Sequence, residues 1–147
     1  MDSDSLSGPA YEASGVPTMF YNPDSWAQIG NLLMFDWPPP VGFSYCDGQP
    51  GGDGNSCGAW NDTRAADAEY AALRGWFDGK FPEFKANELY LTGESYAGVY
   101  IPKLAQEVLA ANSGAKKLDP LNFKGMAVGD ACTGTEVKTI GDSKTGY

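Results

Sequence analysis

Leu91-Thr92-Gly93-Glu94-Ser95-Tyr96-Ala97-Gly98 sets a serine at the junction of two kinds of periodicity. Before it, Glu88-Leu89-Tyr90-Leu91-Thr92 is a short β-prone run that reads as a strand. After it, Ile101, Leu104, Ala105 and Val108 recur at helical spacing. The spacing predicts a helix from just past Ser95 to about Ala111, kinked near its start by Pro102 and ended by Asn112 and Gly114. A serine in a tight strand-to-helix turn has its hydroxyl pushed out above the sheet, in a strained backbone conformation. The residues around it must be small because the chain crowds there. The helix N-terminus then aims unpaired N–H groups at the place where an oxyanion develops. Ser95 is therefore the candidate nucleophile, and the N–H of Tyr96 is one candidate oxyanion donor. The fifth position of the pattern is Ala97 rather than Gly, a departure from G-x-S-x-G. On this short pattern alone, a plain turn is the competing reading.

Working outward, Thr63 to Lys80 reads as a helix, because Ala66, Tyr70, Leu73 and Phe77 form one apolar stripe. Asn61, Asp62 or Thr63 can cap its start, and Gly79 and Pro82 mark its end. Asn31-Leu32-Leu33-Met34-Phe35-Asp36 reads as a buried strand, stopped by Trp37 and three prolines. Phe123 to Val128 reads as a third strand, closed by Gly129-Asp130. Residues 1–27 and 46–62 read as loop. Strand, helix, strand, helix, strand is the α/β pattern: a mostly parallel sheet with flanking helices, in one domain over residues 1–147.

Composition narrows the chemistry. Hydrophobic residues make up 42% and charged residues 20% of 147, a globular balance. The net charge is −9, and the eight acids of residues 1–63 face no Lys or Arg there. Such a chain repels phosphates and anionic headgroups, so neither nucleic acid nor a membrane surface is expected as partner. No apolar run has the roughly 18 residues of a spanning helix. The polar start Met1-Asp2-Ser3-Asp4-Ser5 is no signal peptide.

Cys46 and Cys57 bracket a Gly-rich loop. A disulfide closing it would place the chain in an oxidising compartment; two free thiols are the other reading. Cys132 is either a buried thiol or lacks its partner in this chain. The cysteine spacing fits no zinc pattern, so no metal and no cofactor are expected. Asn61-Asp62-Thr63 is a glycosylation acceptor triplet, which also arises by chance. The chain contains no His.

The longer string Gly93-Glu94-Ser95-Tyr96-Ala97-Gly98-Val99-Tyr100-Ile101-Pro102 resembles the signature of the serine carboxypeptidases. The resemblance continues through Asn31 to Asp36 with Val41-Gly42-Phe43-Ser44-Tyr45, Trp76-Phe77 with Phe81-Pro82-Glu83-Phe84, and Asn122 to Gly125 with Val128-Gly129-Asp130. It covers residues 21–132 in continuous order. It implies an incomplete α/β-hydrolase fold and a peptidase that releases C-terminal residues through an acyl-enzyme on Ser95. It also implies Tyr96 as oxyanion donor, and Glu94, beside Gly93, as a holder of the substrate's C-terminal carboxylate through a shared proton. Peptide or protein C-termini are then the substrates. The expected locations are the secretory pathway, a vacuole or lysosome, or the extracellular space. The remainder of its own chain is a further expected partner.

Several family features are missing from the positions where they belong. The upstream loop that supplies a second oxyanion N–H is not found; Gly8-Pro9 stand just after its place, and Leu6 falls where a carboxylate partner for Glu94 is expected. Pro38-Pro39-Pro40 replace Pro-Ala-Gly before Val41. The family's catalytic Asp and His lie beyond this chain. Without a general base the serine hydroxyl is a poor nucleophile, so the isolated chain is expected to be inactive. Two other readings keep the scaffold: a relative that transfers acyl groups to alcohols, and a non-catalytic binding protein.

Overall fold

The computed structural model describes residues 10–11, 17–18, 21–46, 57–114 and 118–133. They fall into two units, residues 1–35 and 36–147.

In the first unit, β1 (Ala10–Tyr11) pairs antiparallel with β2 (Pro17–Thr18), Ala10 opposite Thr18 and Tyr11 opposite Pro17. A 3-10 turn follows at Trp26–Gln28, where the Ser25 hydroxyl accepts from the Ala27 amide at 3.2 Å. The expected strand over residues 31–36 does not form. The chain there is irregular, and Leu32, Leu33 and Met34 are exposed. An apolar run becomes a strand only when a neighbour takes up its N–H and C=O groups, and no described segment does so.

The second unit carries the β–α–β core. Helix α1 (Asp62–Gly75) is capped by Asn61, whose side chain accepts from the Arg64 amide at 2.8 Å. The expected last turn, Trp76–Lys80, is a wider π-helical turn, closed by the Phe81 amide on the Trp76 carbonyl at 2.8 Å. The extra residue per turn brings the ring of Phe81 to 5.0 Å from that of Trp76, with Phe84 at 5.6 Å. Aromatic packing outweighs the regular i→i+4 bond here.

Strand β3 (Leu89–Glu94) pairs in parallel with β4 (Phe123–Gly129), from Leu89 opposite Phe123 to Glu94 opposite Gly129. Between them runs α2 (Ala97–Asn112), unbroken through Pro102. A parallel sheet with a helical crossover is the expected α/β architecture, in an incomplete form of two paired strands. The predicted stripes form the core: Ala66, Tyr70, Leu73 and Phe77 from the α1 side, and Ile101, Leu104, Ala105 and Val108 from α2 are all buried. Leu91 of β3 and Leu121 join them.

Polar clamps fix the ends of these elements. Asn112 donates to the Leu121 carbonyl at 2.7 Å and accepts from its amide at 2.9 Å, fastening the end of α2 to the entry of β4. The buried Arg74 donates to the Asp119 carbonyl at 2.7 Å and pairs with Asp78 at 2.6 Å. Lys85 bonds the other oxygen of Asp78 at 2.8 Å. Partial desolvation works against the Asp78 carboxylate, yet hydrogen bonds from Lys85 and Arg74 hold its pKa below the ordinary value.

The Cys46–Cys57 disulfide forms, with Cα atoms 5.4 Å apart. Just after it, Arg64 donates to the carbonyls of Ala59 and Cys57, and its guanidinium lies 4.4 Å from the Trp60 ring centre.

Packing at the α1–α2 contact sets the stability of the unit. Leu104 is 3% exposed, whereas Leu109 on the same helix is 56% exposed. Leu104→Ala is expected to cost ~3 kcal/mol in a denaturant melt, through lost burial and the cavity left behind. Leu109→Ala should stay within ~0.5 kcal/mol of the parent.

Candidate active site

Strand β3 ends at Glu94, and the chain reverses direction at Ser95 before α2 begins at Ala97. Ser95 has φ +58°, the left-handed region that costs an ordinary residue ~1–2 kcal/mol. Three backbone bonds hold it there. The Ser95 amide continues the sheet ladder to the Gly129 carbonyl at 3.0 Å. The Ser95 carbonyl accepts from the Cys132 amide at 2.9 Å and from the Gly98 amide at 2.9 Å. The end of β4 thus grips the turn from one side while the first turn of α2 closes it from the other.

That grip leaves no room for side chains at two positions. A Cβ on Gly93 would lie 2.4 Å from the Ala97 Cβ, and one on Gly98 would lie 2.2 Å from the Cys132 carbonyl oxygen. Both glycines are present because backbone and helix approach each other this closely.

Ser95 is exposed, as are Glu94 and Tyr96. Among the described residues the Tyr96 amide bonds to no backbone carbonyl, and it stands one residue ahead of a 16-residue helix. The helix dipole and this amide together favour negative charge at the same spot.

The Tyr96 side chain turns toward α1. Its hydroxyl donates to Asp62 at 3.1 Å, and its ring meets Tyr100 edge-to-face at 4.9 Å. The Asp62 hydrogen bond raises the Tyr96 pKa, with burial adding to it. For Tyr100, burial raises the pKa first, then the charges of Asp62 and Glu69. Asp62 was invisible as a neighbour of this turn, because it lies at the start of another helix and meets the Tyr96 hydroxyl only through the α1–α2 packing. Nothing in the residue pattern marked it.

The serine carboxypeptidase family model matches residues 6–145. The chain belongs to the serine carboxypeptidase family. It is 40% identical over 117 residues to serine carboxypeptidase-like 20 of Arabidopsis thaliana, covering 80% of this chain and 22% of that protein. It is 42% identical over 119 residues to the lysosomal protective protein of Mus musculus, covering 81% of this chain and 22% of that protein. Serine carboxypeptidase-like 34 of Arabidopsis thaliana is 37% identical over 135 residues, 91% of this chain and 26% of that protein. The chain therefore spans about a quarter of the length of these relatives.

The family match reaches beyond residues 21–132, the stretch over which sequence motifs carry the resemblance. The structure brings Gly93, Glu94, Ser95 and Tyr96 together at the bend. Leu6, Gly8 and Pro9, singled out in the sequence, lie outside the described residues. Among the described residues no three His, Cys, Asp or Glu side chains converge as metal ligands, and no helix is long and apolar enough to cross a membrane.

If the left-handed turn is strained, glycine at position 95 relieves it. Ser95→Gly should be more stable than Ser95→Ala by about 0.5–1 kcal/mol, the reverse of the order at an ordinary position. Equal stabilities, or a more stable alanine variant in a denaturant melt, would count against the strain.

Proposed function

We propose that this chain is the nucleophile-bearing part of a serine-type carboxypeptidase, with Ser95 as the attacking residue. The observation that carries this reading is a left-handed, exposed serine between β3 and α2 in a chain of the serine carboxypeptidase family. In this reading the Ser95 oxygen attacks the scissile carbonyl of a peptide's last bond. Its proton passes to a general base outside this chain, which holds no His. The carbonyl oxygen, now negative, faces the Tyr96 amide and the start of α2. Collapse breaks the C–N bond, the freed amino acid leaves with the proton, and the acyl group stays on Ser95 until water releases it. Glu94, exposed beside the serine, holds the substrate's terminal carboxylate through a shared proton, a contact made in acid.

The substrates in this reading are peptide or protein C-termini, and the site of action is the secretory pathway, a vacuole or lysosome, or the extracellular space. The Cys46–Cys57 disulfide supports an oxidising compartment, and one relative is by name lysosomal. A glycan on Asn61 fits the same compartment. The residue is exposed and caps α1 through its oxygen, so a glycan on its nitrogen leaves the cap intact.

The test is release of the C-terminal residue from a blocked dipeptide. The 147-residue chain alone should give none. The whole open reading frame that encodes it should give turnover, reduced at least ~10³-fold by Ser95→Ala. Turnover that survives Ser95→Ala in the whole protein would remove Ser95 from the mechanism; turnover by the pure chain that Ser95→Ala abolishes would refute its inactivity. Glycosylation predicts a mass excess on secreted material that a glycosidase removes and Asn61→Gln prevents.

A further inference from the structure

Helix α1 packs on α2, and a half-buried carboxylate, Glu69, stands beside its buried stripe with its charge felt at Tyr100 of α2. Glu69 follows Ala65 and Ala66 by one turn of α1 and precedes the buried Tyr70. It is half-buried, and its Oε2 is sealed from solvent with no hydrogen-bond partner among the described residues. A buried carboxylate without a donor is costly as an anion and tolerable as a neutral acid.

The surroundings offer it no compensation. Of the elements packed against α1, α2 presents Tyr100, whose hydroxyl feels the charges of both Glu69 and Asp62. The π-helical turn presents Asp78, already held by Arg74 and Lys85, and Lys80. Within α1, Arg64 is committed to the Cys57 and Ala59 carbonyls, and Arg74 to Asp78 and Asp119. Neither these groups nor Lys103 and Glu107 of α2 nor Asp67 of α1 counters the effect of burial, which alone pushes the Glu69 pKa up to about 7.

We propose that Glu69 makes the seating of α1 on α2 dependent on acid: as the neutral acid it fits between the helices, and as the carboxylate it loosens them. The part of the seat most affected is the one at Tyr100, which feels the Glu69 charge and whose ring meets that of Tyr96 edge-to-face. The turn bearing Ser95 is thereby held most firmly at acidic pH. This goes beyond the peptidase reading and stands whether or not Ser95 is a nucleophile, because it concerns folding alone.

The direction follows from linkage. The folded state holds the Glu69 proton up to about pH 7, while the unfolded chain loses it near the ordinary value of 4.5. Between those values the folded state binds more protons, so stability falls as pH rises through that window and levels off above it. Water reaches the open side of the side chain, which brings the expected loss down to about tenfold to a hundredfold in the folded-to-unfolded ratio.

The experiment is thermal unfolding of the 147-residue chain and of Glu69→Gln from pH 4.5 to 8. The two midpoints should nearly coincide at pH 4.5, separate as pH rises with the Gln variant higher, and keep a constant gap above about pH 7.5. Glu69→Leu should behave as Glu69→Gln does. Amide exchange in the first turns of α2, corrected for intrinsic rates, should quicken at neutral pH in the parent and not in the variants. A gap independent of pH overturns the proposal. Should neither variant fold, the Glu69 carboxyl carbon titrated by NMR in the parent decides: a midpoint near 7 supports the proposal, and one in the ordinary carboxylate range overturns it.

Discussion

The bend at Ser95 depends on two backbone bonds from the end of β4, one to the serine amide and one from Cys132 to its carbonyl. A left-handed serine is unfavourable by itself, so these bonds must be formed before the hydroxyl can stand clear of the sheet. They tie residues more than thirty positions apart in sequence, which makes the turn a product of the β–α–β unit rather than of its own eight residues. The parallel pairing of β3 with β4 brings Gly129 and Cys132 to this place, and α2 must cross between the strands for that pairing to exist.

Other features follow from the same constraint. With the turn drawn against β4, Gly93 and Gly98 lie too close to neighbouring atoms for any side chain. With α2 starting directly after the turn, the Tyr96 amide is left at the positive end of the helix. The Tyr96 ring, leaving the turn on the far side, reaches Asp62 at the start of α1. The cap that Asn61 provides at that start, the α1–α2 packing and the orientation of the residue after Ser95 are therefore mechanically linked. The charge of Glu69, a half-buried carboxylate of α1, is felt at Tyr100, whose ring meets that of Tyr96.

The helical stripes were legible because their burial needs only one apolar face at the helical period, and Ala66, Tyr70, Leu73 and Phe77 supply it without interruption. A cap within Asn61 to Thr63, which the structure places at Asn61, and Gly114 near the end of α2 were legible for equally local reasons. The run at residues 31–36 misled, since its apolar character is that of a strand but strand formation requires a partner that the run itself does not encode. The π-helical turn at Trp76–Lys80 misled for a related reason: its cause is the meeting of Trp76 with Phe81 and Phe84, which lie beyond the helix.

By itself the sequence determined the order of strand, turn and helix around Ser95, the absence of any His to serve as its base, and the signature of the serine carboxypeptidases. Each is a matter of residue identity or short-range period. Only the tertiary structure decided that the end of β4 holds the serine backbone left-handed, and that Asp62 of another helix accepts from the hydroxyl of the residue that follows it. Those outcomes depend on contacts between elements distant along the chain, whose energies no single segment contains.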